Sequence, residues 1–92
     1  MHVGGSHNDL GRRVLVVDDD EGVRTGVTWA LEAEGFTVEA VQDGISALEA
    51  IQSNAPSLVV LDLSLPGIGG LDILRRVRQG EERDGGYRLP II

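Results

Sequence analysis

The residues of this chain that can do chemistry are two sets of carboxylates, each placed directly after an apolar run. The first run is Val14-Leu15-Val16-Val17, followed by Asp18-Asp19-Asp20-Glu21. The second is Leu58-Val59-Val60-Leu61, which delivers Asp62 and then breaks into the Pro/Gly-rich stretch Leu63-Ser64-Leu65-Pro66-Gly67-Ile68-Gly69-Gly70. Four apolar residues bounded by turn formers read as a short strand buried on both faces, and such strands belong inside parallel sheets. In open parallel sheets the ligand crevice lies outside the carboxyl ends of the strands, which is where both sets of acids fall. If the two strands are neighbours, Asp62 meets Asp18 and Asp19 at one rim. Two unit charges about 4 Å apart repel by roughly 4 kcal/mol at an effective dielectric near 20, so the cluster calls for a cation. Oxygen ligands with no His or Cys nearby suit a hard ion such as Mg2+, which uses one or two protein carboxylates and keeps its other positions for water and phosphate. An Asp at the end of a strand is also an ordinary turn residue. The repetition of the design on a second strand is what favours a site.

The elements that must position these acids alternate in type. After the first strand, Val23, Val27, Ala30 and Leu31 form one helical stripe, predicting a helix over about 21–34 with Asp20 as N-cap and Gly35 as its stop. Trp29 lies off that stripe and reads as a packing or partner residue. Thr37 to Val41 alternates, the mark of a half-buried edge strand. Asp43-Gly44 turns into a second helix, about 45–53, burying Ile45, Leu48 and Ile51, or Ala47 and Ile51; Asn54-Ala55-Pro56 closes it. After the 63–70 loop, Leu71, Leu74 and Val77 predict a third helix over about 71–79. Gly80 to Arg88 reads as a polar loop, and Leu89-Pro90-Ile91-Ile92 begins a fourth apolar strand. Alternating strands and helices imply right-handed crossovers in a parallel α/β sheet.

Ninety-two residues make one small domain at most, and a chain of this size buries only a little over roughly 60 % of its unfolded surface. With 41 % hydrophobic residues it is globular. A net charge of −7 argues against a nucleic-acid-binding face, which needs clustered cations. Arg75, Arg76, Arg78, Arg83 and Arg88 are interleaved with acids and read as a solvated helix face. Zero cysteines remove disulfides and thiolate metal sites and fit a reducing compartment. No apolar signal region and no membrane-length run is present, so the expectation is a soluble, cytoplasmic chain with no membrane partner.

Taken together, Val-Val-Asp-Asp, Asp43-Gly44 ahead of a helix, and Leu-Asp-Leu-Ser-Leu-Pro-Gly resemble the receiver domain of bacterial two-component response regulators. The resemblance covers residues 13–92; residues 1–12 read as a flexible N-terminal segment. It implies a doubly wound, flavodoxin-like parallel sheet with strand order 2-1-3-4-5, in which the two acid-bearing strands are adjacent. Carried over residue by residue, it makes Asp62 the phosphoacceptor, Asp19 a direct Mg2+ ligand, Asp18 a ligand acting partly through water, and Ser64 a ligand through its backbone carbonyl. It implies phosphoryl transfer from a sensor histidine kinase or phosphotransfer protein in a phosphorelay switch. Such a domain is not an enzyme beyond assisting its own phosphorylation and dephosphorylation. Receivers also use a Ser or Thr past the fourth strand and a Lys after the fifth, and neither position occurs in these residues. The expectation is therefore a C-terminally incomplete receiver, with a possible output domain beyond residue 92 and a possible homodimer covering the Ile91-Ile92 edge.

Two other classes compete. Haloacid dehalogenase-like phosphatases place a second Asp two residues after the nucleophile, where this chain has Ser64. A dinucleotide loop fails because the third glycine of G-x-G-x-x-G would fall at Asp72. Gly67, Gly69 and Gly70 read instead as turn residues that let the loop clear the site. The remaining alternative is a receiver-like protein-interaction module that is not phosphorylated.

Overall fold

The computed structural model describes residues 12–65, 67–83 and 88–92. The N-terminal segment before Arg12, Pro66 of the rim loop, and 84–87 of the expected polar loop lie outside the described residues. The elements run β1 (Arg13–Val17), α1 (Glu21–Ala33), β2 (Thr37–Val41), α2 (Gly44–Asn54), β3 (Leu58–Leu61) and α3 (Gly70–Arg83). The sheet is parallel with order β2-β1-β3. Val14 to Val17 pair with Leu58 to Leu61 in register on one side and with Val38 to Val41 on the other. The two acid-bearing strands are therefore neighbours, as the sequence required. Leu89 to Ile92 adds on the outer side of β3 through a parallel bridge between Ile91 and Val59, with the Val59 and Leu61 amides donating to the Pro90 and Ile92 carbonyls.

Strand side chains alternate between faces. Leu15, Val17, Val59 and Leu61 point to one face and form the core with Ala47, Ala50, Leu65, Ile73 and Leu89. Val14 and Val16 point to the other, where α1 packs on β1 and β2. Leu58 and Val60 are only half-buried, so β3 is fully covered on one face and not on both.

The helix ends follow their local chemistry. Asp20 caps α1, its carboxylate accepting the Val23 amide, and Asp43 caps α2 through the Ser46 amide. Gly35, at φ +94°, follows the end of α1 as expected. Ala55 takes a left-handed conformation that ends α2 and turns the chain into β3.

Several packing expectations are corrected. The α1 stripe contains no buried residue; Val23 and Ala30 are exposed, because α1 lies over β1 and β2 while α2 and α3 pack together on the opposite face. In α2 the buried positions are Gly44, Ala47 and Ala50, with Leu48 and Ile51 at the margin; Ile45 is 61 % exposed. A Cβ on Gly44 would lie 2.8 Å from the Ile68 carbonyl, so the small residues set which side faces inward. In α3, Gly70 and Ile73 are buried and Val77 packs beside them, while Leu71 points out. The helix also runs on to Arg83, through Gly80, although an interior glycine costs about 1 kcal/mol. Arg78 and Glu81 hold that last turn, so Arg78 is not part of a solvated face. Among the described residues no helix is long and apolar enough to cross a membrane.

Candidate functional site

At the carboxyl ends of β1 and β3 the sheet pairing continues one residue past each strand. The Asp62 amide donates to the Val17 carbonyl at 2.9 Å, and the Asp18 amide to the Val41 carbonyl at 3.2 Å. Both acids thus leave a rigid sheet rather than a free loop. The turn after β1 is tied further: the Asp18 carboxylate accepts the Asp20 amide at 2.9 Å, and Arg24 Nη1 donates to the Asp18 carbonyl at 2.8 Å. Asp19 is left exposed between these anchors.

One carboxylate oxygen from each of Asp18, Asp19 and Asp62 can be chosen so that all lie within 4.8 Å of one another. Oxygens bound to one Mg2+ at about 2.1 Å lie roughly 3 Å apart when adjacent and about 4.2 Å when opposite. The donor set, all oxygen and multiply anionic, fits that ion with small side-chain adjustments. The structure brings together three of the four residues assigned to the metal.

The fourth, Ser64, contacts Asp62 through its amide and its hydroxyl. Its amide donates to Asp62 Oδ1 at 2.9 Å and its hydroxyl to the same oxygen at 2.8 Å. The Ser64 amide, then the Ser64 hydroxyl, hold the Asp62 carboxyl below its usual value against a smaller opposing effect of burial, with Asp19 contributing last. Asp62 is accordingly ionised at neutral pH with Oδ1 occupied by two donors.

Behind Asp62 stands Gly70. A Cβ there would lie 2.6 Å from both the Asp62 carbonyl oxygen and the Leu63 Cα, closer than non-bonded atoms approach, so the start of α3 fits against the Asp62 backbone only as glycine. The sequence had grouped Gly67, Gly69 and Gly70 as loop-clearing turn residues. Gly67 does sit at φ +71°, whereas a Cβ on Gly69 would meet nothing within 4 Å. Arg24, the Ser64 hydroxyl and the backing role of Gly70 were missed. Only Ser64 carried a usable signal, as a hydroxyl residue two positions after an Asp, where Asx-type turns form.

The family model for the response regulator receiver domain matches residues 14–92. Response regulator MprA of Mycobacterium sp. (strain KMS) is 46 % identical over 80 residues, an alignment spanning 87 % of this chain and 33 % of MprA. The chain thus spans about a third of the length of that curated relative. The BeF3-activated N-terminal receiver domain of Klebsiella pneumoniae RstA superposes with a TM-score of 0.74 at 32 % identity, over 86 % of this chain and 62 % of that one. A structure of histidine kinase ThkA in complex with response regulator protein TrrA matches with a TM-score of 0.72 at 34 % identity, over 77 % of this chain and 61 % of its counterpart.

Proposed function

The chain belongs to the response regulator receiver domain family, and from that premise we propose that Asp62 is its phosphoacceptor, with a phosphohistidine as donor. The observation that carries the assignment is the meeting of the Asp18, Asp19 and Asp62 carboxylates at the rim of two adjacent parallel strands. In the transfer, an Asp62 carboxylate oxygen forms a bond to phosphorus as the P–N bond to the donor imidazole breaks, and the bonding pair stays with the imidazole nitrogen. Ser64 occupies Oδ1 of the ionised Asp62 carboxylate, which leaves Oδ2 as the nucleophile. The amide tether to Val17 and the buttress at Gly70 hold the carboxylate in place, and positioning of this kind supplies most of the acceleration in phosphoryl transfer. Asp18, Asp19, Asp62 and the Ser64 carbonyl are the residues that would hold Mg2+. When bound, that ion neutralises charge on the transferring phosphoryl oxygens.

The acyl phosphate carries about −1.5 to −2 where the Asp62 carboxylate carried about −1, and this added charge and bulk beside Asp18 and Asp19 is enough to reorganise the rim loops. That is the physical basis of the switch. A sensor histidine kinase or phosphotransfer protein is the proposed partner, supported by the ThkA–TrrA complex among the related structures. An output domain is proposed for the full regulator because MprA is about three times the length matched.

Incubation with acetyl phosphate and Mg2+, followed by intact-mass measurement, tests the reading. One phosphoryl group is expected on the wild-type chain and none on Asp62→Asn. Equal incorporation in that variant would overturn it.

A further inference from the structure

The end of α3 far from Asp62 carries a polar cluster that the phosphoacceptor chemistry does not use. Arg78 and Glu81, three residues apart on α3, form an ion pair at 2.7 Å with side chains only 24 % and 12 % exposed. The pair does more than join the helix to itself. Arg78 Nη1 bonds both Glu81 carboxylate oxygens, at 2.7 and 2.9 Å, and donates to the Leu89 carbonyl at 2.9 Å. Glu81 Oε2 accepts the Leu89 amide. Both backbone groups of Leu89 are thus taken by side chains from one turn of α3, in the way a neighbouring strand would take them. The next amides and carbonyls belong to the sheet: the Val59 amide donates to Pro90, the Ile92 amide to Val59, and the Leu61 amide to Ile92.

We propose that Arg78 and Glu81 form a latch that substitutes for a strand partner at Leu89 and thereby docks residues 89–92 on the outer edge of β3. The other ion pair found in the helix, Arg75 with Asp72, is also three residues apart but exposed, and it joins the helix only to itself. Burial alone would push the Glu81 carboxyl up, yet Arg78, the Leu89 amide and the charge of Arg88 hold it below its usual value, as expected for an acceptor kept ionised by its partners. The latch sits at one end of the helix whose other end buttresses Asp62 through Gly70, and the segment it docks runs parallel to β3 toward that same rim. It is accordingly a positioning device for the edge of the sheet beside Asp62, independent of whether Asp62 is phosphorylated.

Amide hydrogen exchange on the 92-residue chain separates this role from general helix stabilisation. Successive β3 amides face opposite neighbours, so the Val59 and Leu61 amides report on the docked segment while the Asp62 amide, bonded to Val17, reports on β1. Arg78→Met and Glu81→Ala should each speed exchange at Val59 and Leu61 by at least about tenfold, the scale expected for losing hydrogen bonds to a charged group, with Asp62 changed by less than about twofold. Arg75→Met should move none of the three. Unchanged exchange at Val59 and Leu61 in both latch variants would overturn the proposal. So would an equal acceleration at Asp62, or the same response in Arg75→Met, because either would make the cluster an ordinary contribution to global stability.

Discussion

The two faces of the sheet are covered by different means. On the face of Leu15, Val17, Val59 and Leu61, two helices that also pack on each other present small residues, Gly44, Ala47, Ala50 and Gly70, and one large one, Ile73, which is fully buried. On the face of Val14 and Val16, α1 shields the strand and keeps no residue of its own buried; Trp29 on this helix is 69 % exposed. The strand is equally sequestered from water on both faces, yet only one face has an interlocked helix layer. That layer is the one that touches the rim loop, through Gly44 against Ile68 and Gly70 against Asp62. The interlocked layer is thus the one that backs the main chain of the proposed nucleophile.

The largest test of this asymmetry is a pair of truncations. Ile73→Ala should cost about 2–5 kcal/mol, the usual range for emptying a large buried aliphatic site. Val23→Ala on the open face should cost within about 0.5 kcal/mol. Urea midpoints measured side by side decide it, and comparable losses would show that the faces do not differ.

The rim between the faces gives the next effect. If the carboxylate cluster holds Mg2+, the ion should stabilise the fold by about 2.7 kcal/mol at a hundredfold excess over its Kd. Asp19→Asn should remove most of that gain without lowering stability in metal-free buffer, since the substitution relieves repulsion. A melting temperature indifferent to Mg2+ would count against the cation site.

Gly70→Ala sharpens the comparison from the covered side. Its Cβ has no room beside Asp62 and Leu63, so a loss of about 1–3 kcal/mol, typical of overpacking, is expected, together with slower phosphoryl uptake. Gly26→Ala on α1, where a Cβ would meet nothing within 4 Å, should instead be neutral or stabilising by up to about 1 kcal/mol. Thermal melts of the two variants provide the check.

Acid should loosen the cap of α2 on the covered face. The Ser46 amide, then the Ser46 hydroxyl, hold the Asp43 carboxyl below its usual value despite an opposing effect of burial. Its folded-state value lies below the unfolded one of about 3.9, so the contribution is complete above that pH range and fades as pH falls through the folded-state value. Asp43→Asn keeps a capping oxygen and cannot be protonated in that range. Stability of this variant should therefore fall less steeply than wild type between about pH 5 and 2, as followed by circular dichroism.

Much of this architecture was legible in the chain because it depends on local signals. Val14 to Val17 and Leu58 to Leu61 read as short strands, the first buried on both faces and the second on one, and Asp20 and Asp43 announced the starts of α1 and α2. The adjacency of the acids followed from pairing two such strands in parallel. What was not legible depends on close approach in three dimensions. Leu71 and Ile45 looked like core residues by spacing, but Gly70 and Gly44 bring their helices so near to the chain that the inward face rotates onto Ile73 and Ala47. Gly80 read as the start of a polar loop, yet α3 runs past it, and its last turn bonds Leu89, distant in sequence. The Ser64 hydroxyl and Arg24 hold the site by hydrogen bonds that no periodicity encodes.

The central claim is that the carboxylate of Asp62, and not the neighbouring hydroxyl, receives the phosphoryl group. Borohydride reduction of the phosphorylated chain followed by peptide sequencing tests it directly, because an acyl phosphate is reduced to homoserine whereas a phosphoserine is not. Homoserine at position 62 is the predicted result. A phosphate that survives reduction and maps to Ser64, or homoserine at Asp18 or Asp19, would contradict it.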